Sequence, residues 1–180
     1  MKTTILSLAL SAFALAAPHA AAETDLVLMW DGIKGASTSA TLPGGIDAKS
    51  VGLGFASYTT TSKKKQKTDV VAQEISLSLP MGAAVAKLSE LCVTGEVTKN
   101  VDLYVQRDFG TGKMTSIAKV TLSNVKVSFV SMQFAAGGEP TASISFSYTA
   151  LQMEVCDMDE KGNSGQKEKM GYDFGNGKVL

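Results

Sequence analysis

One stretch limits what this chain can fold into. Residues 78–95 read SLPMGAAVAKLSELCVTG, and after the N-terminal 22 residues no other segment has a helical period. At ~100° per residue, Met81, Ala84, Val85, Leu88, Leu91 and Cys92 share an arc of about 120°, while Lys87, Ser89 and Glu90 fall outside it. Ser78 reads as an N-cap, Pro80 suits a first turn and Gly95 a C-terminal stop. Almost everywhere else apolar residues alternate with period two, the pattern of half-buried strands. One short amphipathic helix among strands predicts a mainly β fold: a two-sheet β-barrel or sandwich flanked by a single α-helix.

The N-terminus is of another kind. Lys2 precedes an uncharged apolar run from Ile5 to Ala17, and Ala20 and Ala22 stand at the −3 and −1 positions of a small-residue cleavage site. Residues 1–22 therefore read as a signal peptide, and 23–180 as a single domain. The apolar run is shorter than the ~20 residues of a membrane-spanning helix. The expected product is exported, periplasmic or secreted, with no stable membrane insertion.

Export changes the chemistry on offer. The only histidine, His19, lies in the leader. Residues 23–180 therefore hold none of the histidine that nucleophile–base pairs and most zinc sites use. Lysine and arginine balance aspartate and glutamate at 17 each over the whole chain. That balance argues against nucleic acid as a partner. Carboxylates such as Asp102, Asp108, Glu154, Asp157 and Asp159 are scattered on strand faces and loops. No pattern points to an enzyme, a metal or a cofactor. Two cysteines remain, Cys92 and Cys156. An even pair in an oxidising compartment predicts a disulfide, worth about 4 kcal/mol over so long a loop. The alternative is two buried thiols packed as small apolar residues.

Several strands follow from the alternation. Residues 25–31 (DLVLMWD) are apolar on both faces, which predicts a strand buried on both sides. Residues 46–58 place Val51, Leu53 and Phe55 on one face, opposite Gly52, Gly54 and Ala56. Residues 59–69 (TTTSKKKQKTD) are polar and basic without a period. They read as an exposed, solvated loop, with an anion or partner contact through Lys63, Lys64, Lys65 and Lys67 as the sharper alternative. Further strands are expected at 70–79, 101–107, 119–131 (Val125, Val127 and Phe129 inward) and 141–155. A hairpin turn is expected at Gly137-Gly138, and 157–169 reads as a charged excursion.

In that order the features resemble the haemolysin-coregulated protein (Hcp) family, tube proteins of type VI secretion systems. Asp31-Gly32-Ile33-Lys34-Gly35-Ala36-Ser37 is similar to the family's opening DGIxGxS turn. Residues 46–54 (IDAKSVGLG) resemble its following strand, with Val51 and Leu53 in place of aromatics. Lys119 to Val130 resembles a later strand, and Ile144 to Val155 the late strand of that fold. Gly171-Tyr172-Asp173-Phe174 with Asn176 and Lys178 is similar to the terminal GWDLxxNK, Tyr172 standing for Trp. The resemblance implies a structural subunit, not an enzyme: a homohexameric ring with a wide channel, rings that stack into a tube, and small effector proteins carried inside. It implies subunit contacts from sheet edges, from the loop bearing Lys63, Lys64, Lys65 and Lys67, and from residues 157–169. The family's tube proteins are loaded in the cytoplasm and usually lack a signal peptide, which this chain has. A secreted binding, carrier or effector protein on the same scaffold is the alternative.

Overall fold

The computed structural model describes residues 23–62 and 65–180, so the expected signal peptide, residues 1–22, lies outside the described residues. The strands are β1 (Thr24–Trp30), β2 (Ile46–Ala48), β3 (Ser50–Gly52), β4 (Phe55–Ser62), β5 (Lys65–Ala72) and β6 (Ile75–Pro80). The helix α1 (Ala83–Thr94) follows. Then come β7 (Val97–Asp108), β8 (Met114–Gln133), β9 (Thr141–Ser147), β10 (Ala150–Met158), β11 (Ser164–Asp173) and β12 (Lys178–Val179).

The pairing wraps around the core. β1 pairs β7, β7 pairs β8, β8 pairs β9, β9 pairs β6, and β6 pairs β3, all antiparallel. Lys49 carries β3 into β2, which pairs the other edge of β1. The Lys49 amide donates to the Ser78 carbonyl at 2.7 Å and holds this corner. A barrel wall results, with β10, β11 and β12 continuing the sheet away from β8.

The wall folds at Asn124, the only non-glycine residue with positive φ (53°) among the described residues. On β8 the buried parity is even at Val120 and Leu122, then odd at Val125 and Val127. Opposite, it is even from Ala142 to Tyr148 and odd at Leu151. Both strands change parity at the same place, so the sheet bends while its inner face stays apolar. The Thr149 amide donates to the Ser123 carbonyl, and the Asn124 amide group to Thr149 Oγ1 at 2.8 Å, which ties the bend.

Inside, Leu28, Trp30, Ile75, Leu79, Val101, Leu122, Ile144, Phe146 and Leu151 form one core. Trp30 meets Phe146 edge to face at 5.4 Å, and its indole N–H donates to Thr98 Oγ1 at 2.9 Å. α1 lays Ala84, Val85 and Leu88 on this core, with Leu91, Cys92 and Met81 partly buried. Gly95 caps it in the left-handed conformation (φ 69°), its amide donating to the Leu91 carbonyl. The start differs from the expectation. Gly82 is the N-cap, with no side-chain hydrogen bond, and Ser78 and Pro80 belong to β6. The inward alternation of Ile75, Leu77 and Leu79 holds the chain extended up to Pro80.

Other expectations are corrected. Residues 46–58 divide into β2, β3 and the start of β4, because one stretch serves three partners. Residues 141–155 break at Tyr148-Thr149, where the parity changes. Phe129 faces outward, 53% exposed, because the register shifts between Val127 and Phe129. The basic stretch is no loop: β4 and β5 form a separate two-stranded ribbon. Residues 157–169 are the end of β10, a turn and most of β11.

Candidate assembly surface

The ribbon forms a sheet of its own, and of its described residues Ala72, at its base, is the one packed against the core. Eight residue pairs join β4 to β5, from Phe55↔Ala72 to Ser62↔Lys65, and neither strand pairs another. Its residues read Thr, Ser and Lys toward the turn, so the sequence supplies no apolar stripe to dock inward. Near its base, Phe55, Tyr58 and Val71 are 45%, 59% and 48% exposed. Of the four lysines expected at a contact, Lys63 and Lys64 lie outside the described residues. Lys65 and Lys67 sit in β5, opposite Ser62 and Thr60. Of the four, the structure places only Lys65 and Lys67, both on β5 toward its start.

Two sheet faces flank the barrel. The outer face of β3, β6, β9 and the last part of β8 pairs Ser50 with Ser78, Ser76 with Ser145, Ser78 with Ser143, and Ser131 with Ser143. Along these rows it carries hydroxyls, the outward Phe129 opposite Ser145, and no charge. The face of β7, β8, β10 and β11 is laced with ion pairs. Lys119 Nζ lies 3.0 Å from Asp102 Oδ2, and Thr121 donates to Asp102 Oδ1 at 2.6 Å. Glu154 takes Lys169 at 2.7 Å and Lys167 at 3.4 Å. Partial burial pulls the Lys119 ammonium down, but Tyr104 and Asp102 together outweigh it and hold it above the usual lysine value. The hydrogen bond from Lys169 holds the Glu154 carboxyl below the carboxylate range, with Lys167 adding to it. Ion pairs so exposed contribute little stability, but they fix the charge pattern a partner meets.

The DGIKGAS turn has a structural explanation. Gly32 turns the chain at φ 78°, and Ile33, nearly buried, bridges back to Trp30. A Cβ on Gly35 would lie 2.1 Å from the Gly45 carbonyl oxygen and 2.6 Å from Ile46 Cα. Gly35 and Ser37 donate their amides to the Gly44 and Gly45 carbonyls. The segment thus lies on β1 and buries Val27, which makes β1 covered on both faces as its sequence predicts. Buried Gln106, which no pattern in the sequence marks, accepts from Ser39 and Thr41 and anchors the same segment to β7.

The terminal motif also folds into one unit. Phe174 stacks edge to face on Tyr148 (5.6 Å) and Tyr172 (5.0 Å). The Asp173 carboxylate accepts the Asn176 side-chain and backbone N–H at 2.7 and 2.9 Å, which lowers its pKa. Tyr148 is buried with no hydrogen-bond partner for its hydroxyl among the described residues, and burial raises its pKa.

In this structure the two cysteines of the expected disulfide are unbonded. Cys92 and Cys156 are free thiols. α1 begins beside the Pro80↔Thr141 pair and ends where Val97 joins Lys126, so Cys92 lies near the last third of β8. Cys156 lies one residue past Val155, which pairs Ala118. The two cysteines thus sit beside different parts of β8.

Residues 27–155 match the family model described as "Type VI secretion system effector, Hcp". The chain belongs to the Hcp family. The match ends within β10, so the terminal motif lies beyond it. No curated protein matches the sequence. Among solved structures, a type six secretion system protein superposes with a TM-score of 0.79 at 21% identity, over 88% of this chain and 100% of that one. Hcp1 from Salmonella typhimurium gives 0.68 at 18%, over 87% and 99%. A type VI secretion system effector from Yersinia pestis gives 0.65 at 19%, over 83% and 99%. Their folds agree with this one: mainly β, with a single helix. This chain is an Hcp-type, tube-like protein of type VI secretion, and no helix among its described residues is long and apolar enough to cross a membrane.

Proposed function

We propose that this Hcp chain is a ring subunit: six copies stand side by side around an open channel, rings stack into a tube, and small effector proteins travel inside. The ribbon carries the reading. An isolated two-stranded hairpin is marginally stable in water, and this one exposes Phe55, Tyr58 and Val71. A neighbouring copy that covers it supplies the missing face. The turn lysines, Lys63, Lys64, Lys65 and Lys67, then fall within the contact. A stable ring asks for about 800 Å² per partner at each junction, and the ribbon and the hydroxyl face are the surfaces this reading assigns to it. Asp31, Asp102 and the other carboxylates serve as surface charge in this reading, not as catalytic groups.

Residues 1–22 act as a signal peptide in the same proposal, so the ring assembles after export. Light scattering coupled to size exclusion tests the assembly, with a mass of six subunits expected. A monomer at high micromolar concentration overturns the ring and leaves a secreted carrier on the same scaffold. N-terminal sequencing of the exported protein tests the leader. It should start at Glu23, and a retained Met1 would contradict export by cleavage.

A further inference from the structure

The sheet has one long edge that its own chain covers only at the end. β11 pairs β12 at Tyr172↔Val179 and Asp173↔Lys178, and the Leu180 amide donates to the Gly171 carbonyl at 3.0 Å. The rest of β11, from Ser164 to Met170, has no strand on that side among the described residues. Residues 164–169 are exposed. In an antiparallel strand the N–H and C=O of one residue face the same edge, and alternate residues share it. Since Gly171 faces β12, Lys169 and Lys167 present their backbones to the open edge. Such an edge is a template for another strand.

We propose that residues 175–180 are a strap that closes the β11 edge to strand addition by a second copy of the chain. The strap is built in. Asp173 and Asn176 fix the turn that reverses the chain, Gly177 turns it at φ 64°, and Leu180 packs over Gly171. Its two-residue strand blocks the end at which a pairing strand would enter. Lys167 and Lys169 defend the remainder, since a two-fold pairing of two β11 edges sets like charges opposite each other.

The test compares three chains with the intact protein by sedimentation velocity, at low and high salt. The first ends at Phe174, which keeps the contact of Phe174 with Tyr148. The second is the same shortened chain with Lys167→Pro, which removes an outward N–H while keeping the β10 ladder. The third is the full-length chain with Lys178→Pro, which removes a ladder N–H from β12 without shortening the chain. The proposal expects the first and third to sediment as species at least twice the intact mass. The increase should be greater at high salt, where lysine repulsion is screened. The second should return to the intact mass. If the shortened chain unfolds in circular dichroism, the Lys178→Pro chain decides. Sedimentation of the Lys178→Pro chain like the intact protein overturns the proposal, as does growth that survives Lys167→Pro. Each comparison is with the intact chain, whatever mass that has, so the outcome is independent of the ring reading.

Discussion

Two hairpins of this molecule are built alike and stand in opposite situations. β7–β8 and β4–β5 are both antiparallel pairs of consecutive strands. The first buries Val101, Leu103, Val120 and Leu122 in the barrel. The second buries no residue among those described in it. A hairpin with one apolar face is held by its own subunit. A hairpin with none costs backbone entropy that the subunit does not offset. The difference teaches that the barrel wall makes the fold, whereas the ribbon adds little to it and is left free for the contacts we propose.

The largest effect should come from the barrel side. Phe146 is fully buried against Trp30. Phe146→Ala should lower unfolding free energy by about 3–5 kcal/mol in a urea titration. A loss under 1 kcal/mol would mean the barrel is not the stable unit and would break the comparison. Next is the segment laid on β1. Gly35→Ala forces a Cβ into the Gly45 carbonyl and should cost about 3 kcal/mol by the same titration. A neutral result would mean that the segment is as loosely held as the ribbon.

How much of this was legible depended on whether burial leaves a period. β1 was readable because Val27, Leu28 and Trp30 are apolar on both faces. Gly95 was readable as a helix stop because the left-handed position favours glycine. The ribbon was not, because Thr59 to Asp69 is polar and basic throughout, so no apolar period marks β4 and β5. The bend was legible only in hindsight: parity changes at Asn124 and at Tyr148-Thr149 matter once the two strands are known to face each other. The helix start was misread because Ser78 and Pro80 suit a cap as well as the end of β6. Of the candidate assembly surface, the sequence singled out the four lysines by their charge, two of which lie outside the described residues. It did not mark Phe55, Tyr58 or Val71, whose residue types usually signal core.

Smaller effects sharpen the barrel side of the contrast. Tyr148→Phe removes a buried hydroxyl that has no partner. It should raise stability by about 1 kcal/mol, and a loss of similar size would mean that the hydroxyl is satisfied in solution. The smallest effect concerns acid. Asp173 has a folded pKa below its unfolded value because of Asn176. The stability it contributes is present above the ordinary carboxylate range and is lost as pH falls through the lowered folded value. Asp173→Asn should therefore flatten the acid limb of the melting temperature against pH. An unchanged limb would show that the terminal turn does not hold Asp173 as described.

The central claim is that the ribbon belongs to the assembly and not to the subunit. It is tested most directly by the light-scattering mass of a variant carrying Phe55→Ser, Tyr58→Ser and Val71→Ser, beside the intact protein. The account predicts six subunits for the intact chain and one for the variant, with the far-ultraviolet circular dichroism spectrum of the barrel retained. A variant that keeps the mass of the intact protein would contradict it.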